Sequence, residues 1–131
     1  MQIYISEEAI IADVQERFHR QYPRLKLEFF HKSALPGECC DEKEKFAANT
    51  PIEKIRILHS FGWLDISHYR TALAVEHDLT SLFGLHGHIF HKAGDIWLQT
   101  TTTGHLTLEE LNAGDVEKAT AFRLPEEPEK E

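Results

Sequence analysis

A strand–helix–strand pattern that occurs twice constrains the fold of this 131-residue chain more than any other feature of its sequence. The first copy spans about 1–32 and the second about 63–102. In each copy a short strand-like segment precedes an apolar pattern at helical spacing, and a second strand-like segment follows. Matching positions include Ile5 with Ile66, Ser6 with Ser67, Val14 with Val75, and Phe30-His31-Lys32 with Phe90-His91-Lys92. The likeness fits a duplication, and it equally fits the patterning that any two βαβ units share.

Alternation, helical spacing and capping residues predict the individual elements. Ser6, Thr50 and Thr107 are predicted N-caps, and Gly84 is a natural residue to end a helix. We predict strands at 2–6, 25–31, 63–67, 85–91 and 96–102, and helices over 7–22, 50–61, 69–83 and 107–114.

These elements predict an α+β fold with a mixed sheet of four to five strands. The sheet would come from two βαβ-like halves with helices packed on it, followed by a C-terminal β-hairpin and a short helix. We expect one domain over 1–124, in which a loop and short helix over 33–62 join the halves. The Pro- and Glu-rich segment 125–131 is predicted to be a disordered acidic tail.

Composition argues against several classes of partner. The formal net charge is −8, with 22 acidic against 14 basic residues, whereas nucleic acid and anionic membranes select for Lys and Arg. No apolar run approaches the roughly 20 residues of a membrane helix, and the N-terminus lacks a signal-peptide pattern. Adjacent Cys39 and Cys40 are interpreted as reduced thiols. We therefore expect a cytoplasmic protein.

The segment from Gly84 to Thr101 is predicted to be a β-hairpin with two unlike faces. A turn at Ala93-Gly94 would place Phe90 opposite Trp97. Alternation then predicts a core face and an outer face. The core face holds Leu85, Gly87, Ile89, Ile96 and Leu98, and the outer face holds His86, His88, Phe90, Trp97, Gln99 and Thr101.

The outer face supports two functional hypotheses. Trp, Phe and His side chains on one strand face are typical of a protein interface, so the leading hypothesis is a non-enzymatic module that binds a partner protein or forms a homodimer. The alternative is a Zn²⁺ or Ni²⁺ site built on His86 and His88, with a third ligand from His105, His68, His77 or an acidic residue. An enzyme of unknown class is the third alternative. It ranks last because no motif in the sequence pairs a nucleophile with a base. On the leading hypothesis no cofactor is needed.

The C-terminal part resembles a family of small uncharacterised bacterial α/β proteins. The likeness lies in Phe83-Gly84-Leu85, the turn at Phe90-His91-Lys92-Ala93-Gly94, Trp97 and Thr107-Leu108-Glu109-Glu110, within roughly 64–114. Family members have Phe-Arg-Lys-Ser-Gly at the turn, so Arg stands where this chain has His91, and they tend to have Gln at the position of His88. The resemblance implies a shared fold and no particular activity. It also implies that these histidines are particular to this chain, which weakens the metal hypothesis.

Overall fold

The computed structural model describes residues 1–6, 8–31, 45–55, 61–101 and 103–114. Most of the loop and helix predicted over 33–62 and the tail predicted over 125–131 lie outside these residues. The elements, in chain order, are β1 (Gln2–Ile5), α1 (Ile11–Gln21), β2 (Leu25–Phe29), a 3₁₀ turn (Ile52–Lys54), β3 (Gly62–Asp65), α2 (Ala72–Phe83), β4 (Gly87–Ala93), β5 (Ile96–Gln99) and α3 (Leu108–Asn112).

The α+β class is confirmed, but the strands form two antiparallel sheets and not one mixed sheet. One sheet pairs β1 with β3, and the other has the order β2-β4-β5. Burial alternates along β1 and β2, which is the pattern of antiparallel strands with one covered face. Parallel strands of a βαβ unit are instead apolar on both faces. In the sequence, the polar residues Lys26 and Glu28 at alternate positions of β2 already indicate a strand with only one covered face.

The strands that the repeated pattern equates are the strands that pair with each other. Ile3 corresponds to Leu64 in the repeat and lies opposite it between β1 and β3. Glu28 corresponds to His88 and lies opposite it between β2 and β4. The pairing therefore has approximate two-fold symmetry, and the first and second strands of each half lie in different sheets. β5 pairs with the outer edge of β4.

Helix α1 begins four residues later than the prediction from Ser6. Its first amides donate hydrogen bonds to a distant segment, from Ile11 N–H to the Thr50 carbonyl (2.9 Å) and from Ala12 N–H to the Ala48 carbonyl (2.8 Å). These carbonyls satisfy donors that a local cap would otherwise serve. The start of α1 is thus fixed by tertiary structure.

The other predicted helix ends are confirmed in part. Gly84 ends α2 with φ +68°, but this helix begins after Thr71, whose hydroxyl accepts from Ala74 N–H, and not at residue 69. The N-cap predicted at Thr50 is wrong, because the 3₁₀ turn follows Pro51 and has no side-chain cap. At α3 the Thr107 hydroxyl accepts from Glu110 N–H, and the Glu110 carboxylate accepts from Thr107 N–H. This reciprocal pair is a capping box.

The core lies between the helices and the inner faces of both sheets. It is continuous and includes Ile5, Phe18, Leu64, Leu79 and Ile89, all fully buried or nearly so. Gly87 in β4 allows the closest approach, since a Cβ there would lie 2.7 Å from Leu79 Cδ1. Among the residues that the structure describes, no helix is both long and apolar enough to cross a membrane.

Candidate functional site

The hairpin forms, but its register differs from the predicted one. The turn residues are Gly94 and Asp95, and Lys92 lies opposite Trp97. Gly94 has φ +65° and Asp95 does not have positive φ, as in a type II′ turn with glycine first. The observed pairing is displaced by two residues from the predicted one, in which Lys92 lay opposite Asp95. Because side chains alternate between faces, a displacement of two residues leaves each side chain on its predicted face.

Two lysines flank the aromatic residues on the outer face. Lys26 Nζ lies 5.1 Å from the centroid of the Trp97 ring and 5.7 Å from that of Phe90. Lys92 Nζ lies 5.9 Å from the Trp97 ring, and the His19 ring meets Trp97 edge-on at 6.2 Å. Trp97 is half-buried. Cations within about 6 Å of an aromatic face are attracted to it. Lys26 Nζ also lies 3.2 Å from Glu28 Oε2, so this surface carries charges of both signs around its aromatic rings.

The inner face of β5 is open, in contrast to the predicted core position of its side chains. Ile96 is 57% exposed and Leu98 is 44% exposed, while Ile89 on β4 is fully buried. Helix α2 contacts β4 and leaves the next strand uncovered. A strand of four residues thus exposes two large aliphatic side chains on one face and half-exposes Trp97 on the other.

The backbone of Trp97 points away from the sheet. The amide of Lys92, its opposite residue, donates to the Arg24 carbonyl on the β2 side (2.9 Å). The pair of Lys92 and Trp97 is therefore not hydrogen-bonded, because antiparallel pairs alternate between bonded and non-bonded. The N–H and C=O of Trp97 lie on the outer edge of β5. No strand among the described residues pairs with that edge.

The opposite edge of the same sheet is closed by side chains and a loop. Gln15 Nε2 donates to the Leu27 carbonyl (2.8 Å), and His19 Nδ1 lies 2.8 Å from the Leu25 carbonyl. Phe46 N–H donates to the Phe29 carbonyl (2.8 Å). All the outward carbonyls of β2 are thereby satisfied. Proteins commonly cover edge strands in this way to prevent pairing with other chains, whereas within the described residues the Trp97 backbone on β5 has no such partner.

A buried polar cluster fixes the end of β5. Glu76, which is 1% exposed, accepts at Oε2 from Ile89 N–H (2.8 Å) and from the Thr100 hydroxyl (3.4 Å). Its Oε1 lies 3.3 Å from His88 Nδ1. The carboxylate thus accepts a hydrogen bond from the Ile89 amide of β4, at the level where β5 ends. Glu76 corresponds to Gln15 in the repeat, so both halves use this helix position to bind a strand backbone.

The predicted histidines are buried to different degrees. His88 is 1% exposed, which excludes it from the contact surface. His86 is half-buried and its Nδ1 is a buried atom without a hydrogen-bond partner. Burial lowers the pKa of His86, and the neighbouring His88 lowers it further. His91 is 8% exposed, and burial lowers its pKa as well.

The remaining predicted residues lie around this surface. Phe90, Gln99 and Thr101 are half-buried, and His105 is exposed. Across the described ranges, no three His, Cys, Asp or Glu side chains are grouped so that they could hold a metal ion. The trio of His86, His88 and His105 is therefore not assembled as a ligand set, and metal binding stays a prediction.

A shallow groove continues the outer face towards α1. It has a volume of about 340 Å³ and is lined by Gln15, Glu16, His19, Lys26, Leu27, Glu28 and Trp97. Trp97 stands at one side of this groove and at the open edge of β5. Trp97 is therefore accessible both from this groove and from the outer edge of β5.

No protein-family model matches the chain, and no curated protein and no solved structure match it either. Function is therefore inferred from the geometry of this molecule. Sequence reasoning identified the hairpin and Trp97, but it missed the exposure of Ile96 and Leu98. It also missed Glu76. The available signal was that an acidic side chain lies within the otherwise apolar pattern of α2.

Proposed function

We propose that this protein is a binding module that recognises another polypeptide through β5, by pairing with its outer backbone edge. The observation that carries the proposal is that β5 combines an open Trp97 backbone with exposed Ile96 and Leu98. An added strand would receive hydrogen bonds from the edge and apolar contacts from both faces. This is the β-augmentation mode of peptide recognition.

The energetics favour a contact of modest strength. Burying the exposed parts of Ile96 and Leu98 would contribute about 1 kcal/mol each, roughly half of the value for a whole aliphatic side chain. Each new backbone hydrogen bond would add about 0.5–1.5 kcal/mol. Trp97 adds an aromatic contact of the type that dominates interfaces. Together these terms are of the same order as the lower estimates of the cost of association, about 4 kcal/mol, so we expect weak binding as in transient complexes.

The test compares partner capture by three forms of the full-length protein. Wild type, Leu98→Lys and Leu73→Lys are used as baits in native lysate. Leu73 on α2 is 40% exposed against 44% for Leu98, so the two substitutions are matched in chemistry and exposure. We expect Leu98→Lys alone to lose its partners, because an inward-pointing charge on an edge strand opposes strand addition.

The backbone prediction is tested separately by amide exchange. When a captured partner is added back, exchange of the Trp97 amide must slow, whereas the Leu98 amide is already bonded to β4. Capture that is equal for all three baits, or a bound partner that leaves Trp97 exchange unchanged, would refute recognition through β5.

A further inference from the structure

We infer that one polypeptide bound by β5 is a second copy of this chain, which pairs antiparallel with β5 about Trp97. The inference rests on the proposed function and names the partner. Its basis is the self-complementary pattern of Ile96-Trp97-Leu98, in which one aromatic residue stands between two aliphatic residues of the opposite face. A two-fold dimer requires a surface that matches itself in this way.

Backbone geometry fixes the register of this pairing. The outward N–H and C=O of Trp97 can exchange two hydrogen bonds with the same groups of a second copy, because a residue on the dyad meets itself. Ile96 of each copy then lies opposite Leu98 of the other. Since opposite residues in an antiparallel pair share a face, four exposed aliphatic side chains form one continuous patch. The two Trp97 rings adjoin on the other face.

Local charge favours the antiparallel orientation. In the register about Trp97, Asp95 of one copy lies across from Gln99 of the other, while a parallel arrangement would bring Asp95 next to its own copy. Lys92 flanks Trp97 on each side, so the joined outer face has a row of lysine, two tryptophans and lysine. Both lysines can keep their contact with a ring after pairing.

The size of the patch predicts a weak, concentration-dependent dimer. Four partly exposed aliphatic residues and two tryptophans bury far less than the roughly 800 Å² per partner of a stable interface. The chains also repel each other, since each has a net charge of −8. Added salt screens repulsion between exposed charges. We therefore expect the dimer fraction to increase with protein concentration and with sodium chloride.

The first experiment is sedimentation equilibrium of the full chain between about 10 µM and about 1 mM, which brackets the dissociation constants of weak interfaces. Wild type should show a monomer–dimer equilibrium. Leu98→Lys should raise the dissociation constant at least about tenfold, and Leu73→Lys should leave it unchanged. Circular dichroism melts of each variant verify that the monomer is folded.

The second experiment tests the register by disulfide formation in a Cys39→Ser/Cys40→Ser background. Opposed hydrogen-bonded residues have Cα atoms about 5.5 Å apart, which is within the range of a disulfide. Trp97→Cys should therefore form a covalent dimer on mild oxidation. Asp95→Cys is the control, because two copies of residue 95 would lie roughly 13 Å apart along the strands.

A chain that stays monomeric at every concentration would overturn the inference, as would a dimer that Leu98→Lys leaves intact. Equal cross-linking at positions 95 and 97 would overturn the register. These failures are distinct from failure of the proposed function. A monomer whose Trp97 amide becomes protected by a different protein would keep edge recognition and reject the second copy as its partner.

Discussion

Replacing Glu76 by alanine should destabilise the protein more than any comparable change of a charged residue at its surface. The side chain is 1% exposed, and Oε2 lies 2.8 Å from the Ile89 amide nitrogen. Its removal leaves a buried backbone donor without an acceptor, at a cost of about 1–3 kcal/mol. Loss of the buried γ-methylene group adds about 0.8 kcal/mol. We expect the free energy of unfolding to fall by about 3 kcal/mol.

Urea denaturation followed by circular dichroism measures this loss, and two variants control for it. Glu76→Gln keeps a carbonyl oxygen for the Ile89 amide and should lose only about 1 kcal/mol, the difference between a charged and a neutral acceptor. Glu16→Ala removes a surface carboxylate that is 71% exposed and pairs with Arg20, and such pairs contribute about 0.5 kcal/mol or less. If Glu76→Ala loses under about 1 kcal/mol, or less than Glu76→Gln, the carboxylate does not hold the end of β5.

Three further predictions concern pH and packing. Because burial lowers the pKa of His91, the folded state disfavours its protonation, so stability should fall as pH decreases below about 6.5; His91→Leu should flatten that slope in pH-dependent urea titrations. Burial, reinforced by nearby carboxylates, raises the pKa of Tyr22 to about 12. Its contribution is therefore present below pH 10 and lost as pH rises through about 12, and Tyr22→Phe should abolish this alkaline loss in thermal melts. Gly87→Ala would place a Cβ 2.7 Å from Leu79 Cδ1, and we expect overpacking to cost about 1–3 kcal/mol in chemical denaturation; an unchanged midpoint would contradict this contact.

Local signals in the sequence were sufficient to predict much of the secondary structure in the second half of the chain. Thr107 and Glu110 form the predicted capping box, and Gly84 adopts the left-handed conformation predicted for a helix end. Such features depend on residues three or four positions apart. The hairpin followed from alternation with a glycine at the turn, although its register shifted because Gly94 occupies the first turn position.

Long-range features could not be obtained from the same reasoning. The start of α1 depends on the carbonyls of Ala48 and Thr50, which lie some forty residues away. The division into two sheets arises because strands from opposite halves of the chain pair with each other, β1 with β3 and β2 with β4. Likewise, the exposure of Ile96 and Leu98 follows from the reach of α2, which covers β4 and not β5. Alternation assigns a residue to a face, but only tertiary structure decides whether that face is covered.

Hydrogen exchange of the Trp97 amide in dilute and concentrated protein tests the central claim about β5 most directly. We predict rapid exchange in dilute protein, where the edge is open, while the Leu98 amide is protected by its bond to β4. Exchange at Trp97 should slow as the concentration rises, and it should stay rapid in Leu98→Lys. A Trp97 amide that is already protected in dilute protein, or that stays unprotected at the highest concentration, would contradict an open edge that pairs with a second copy.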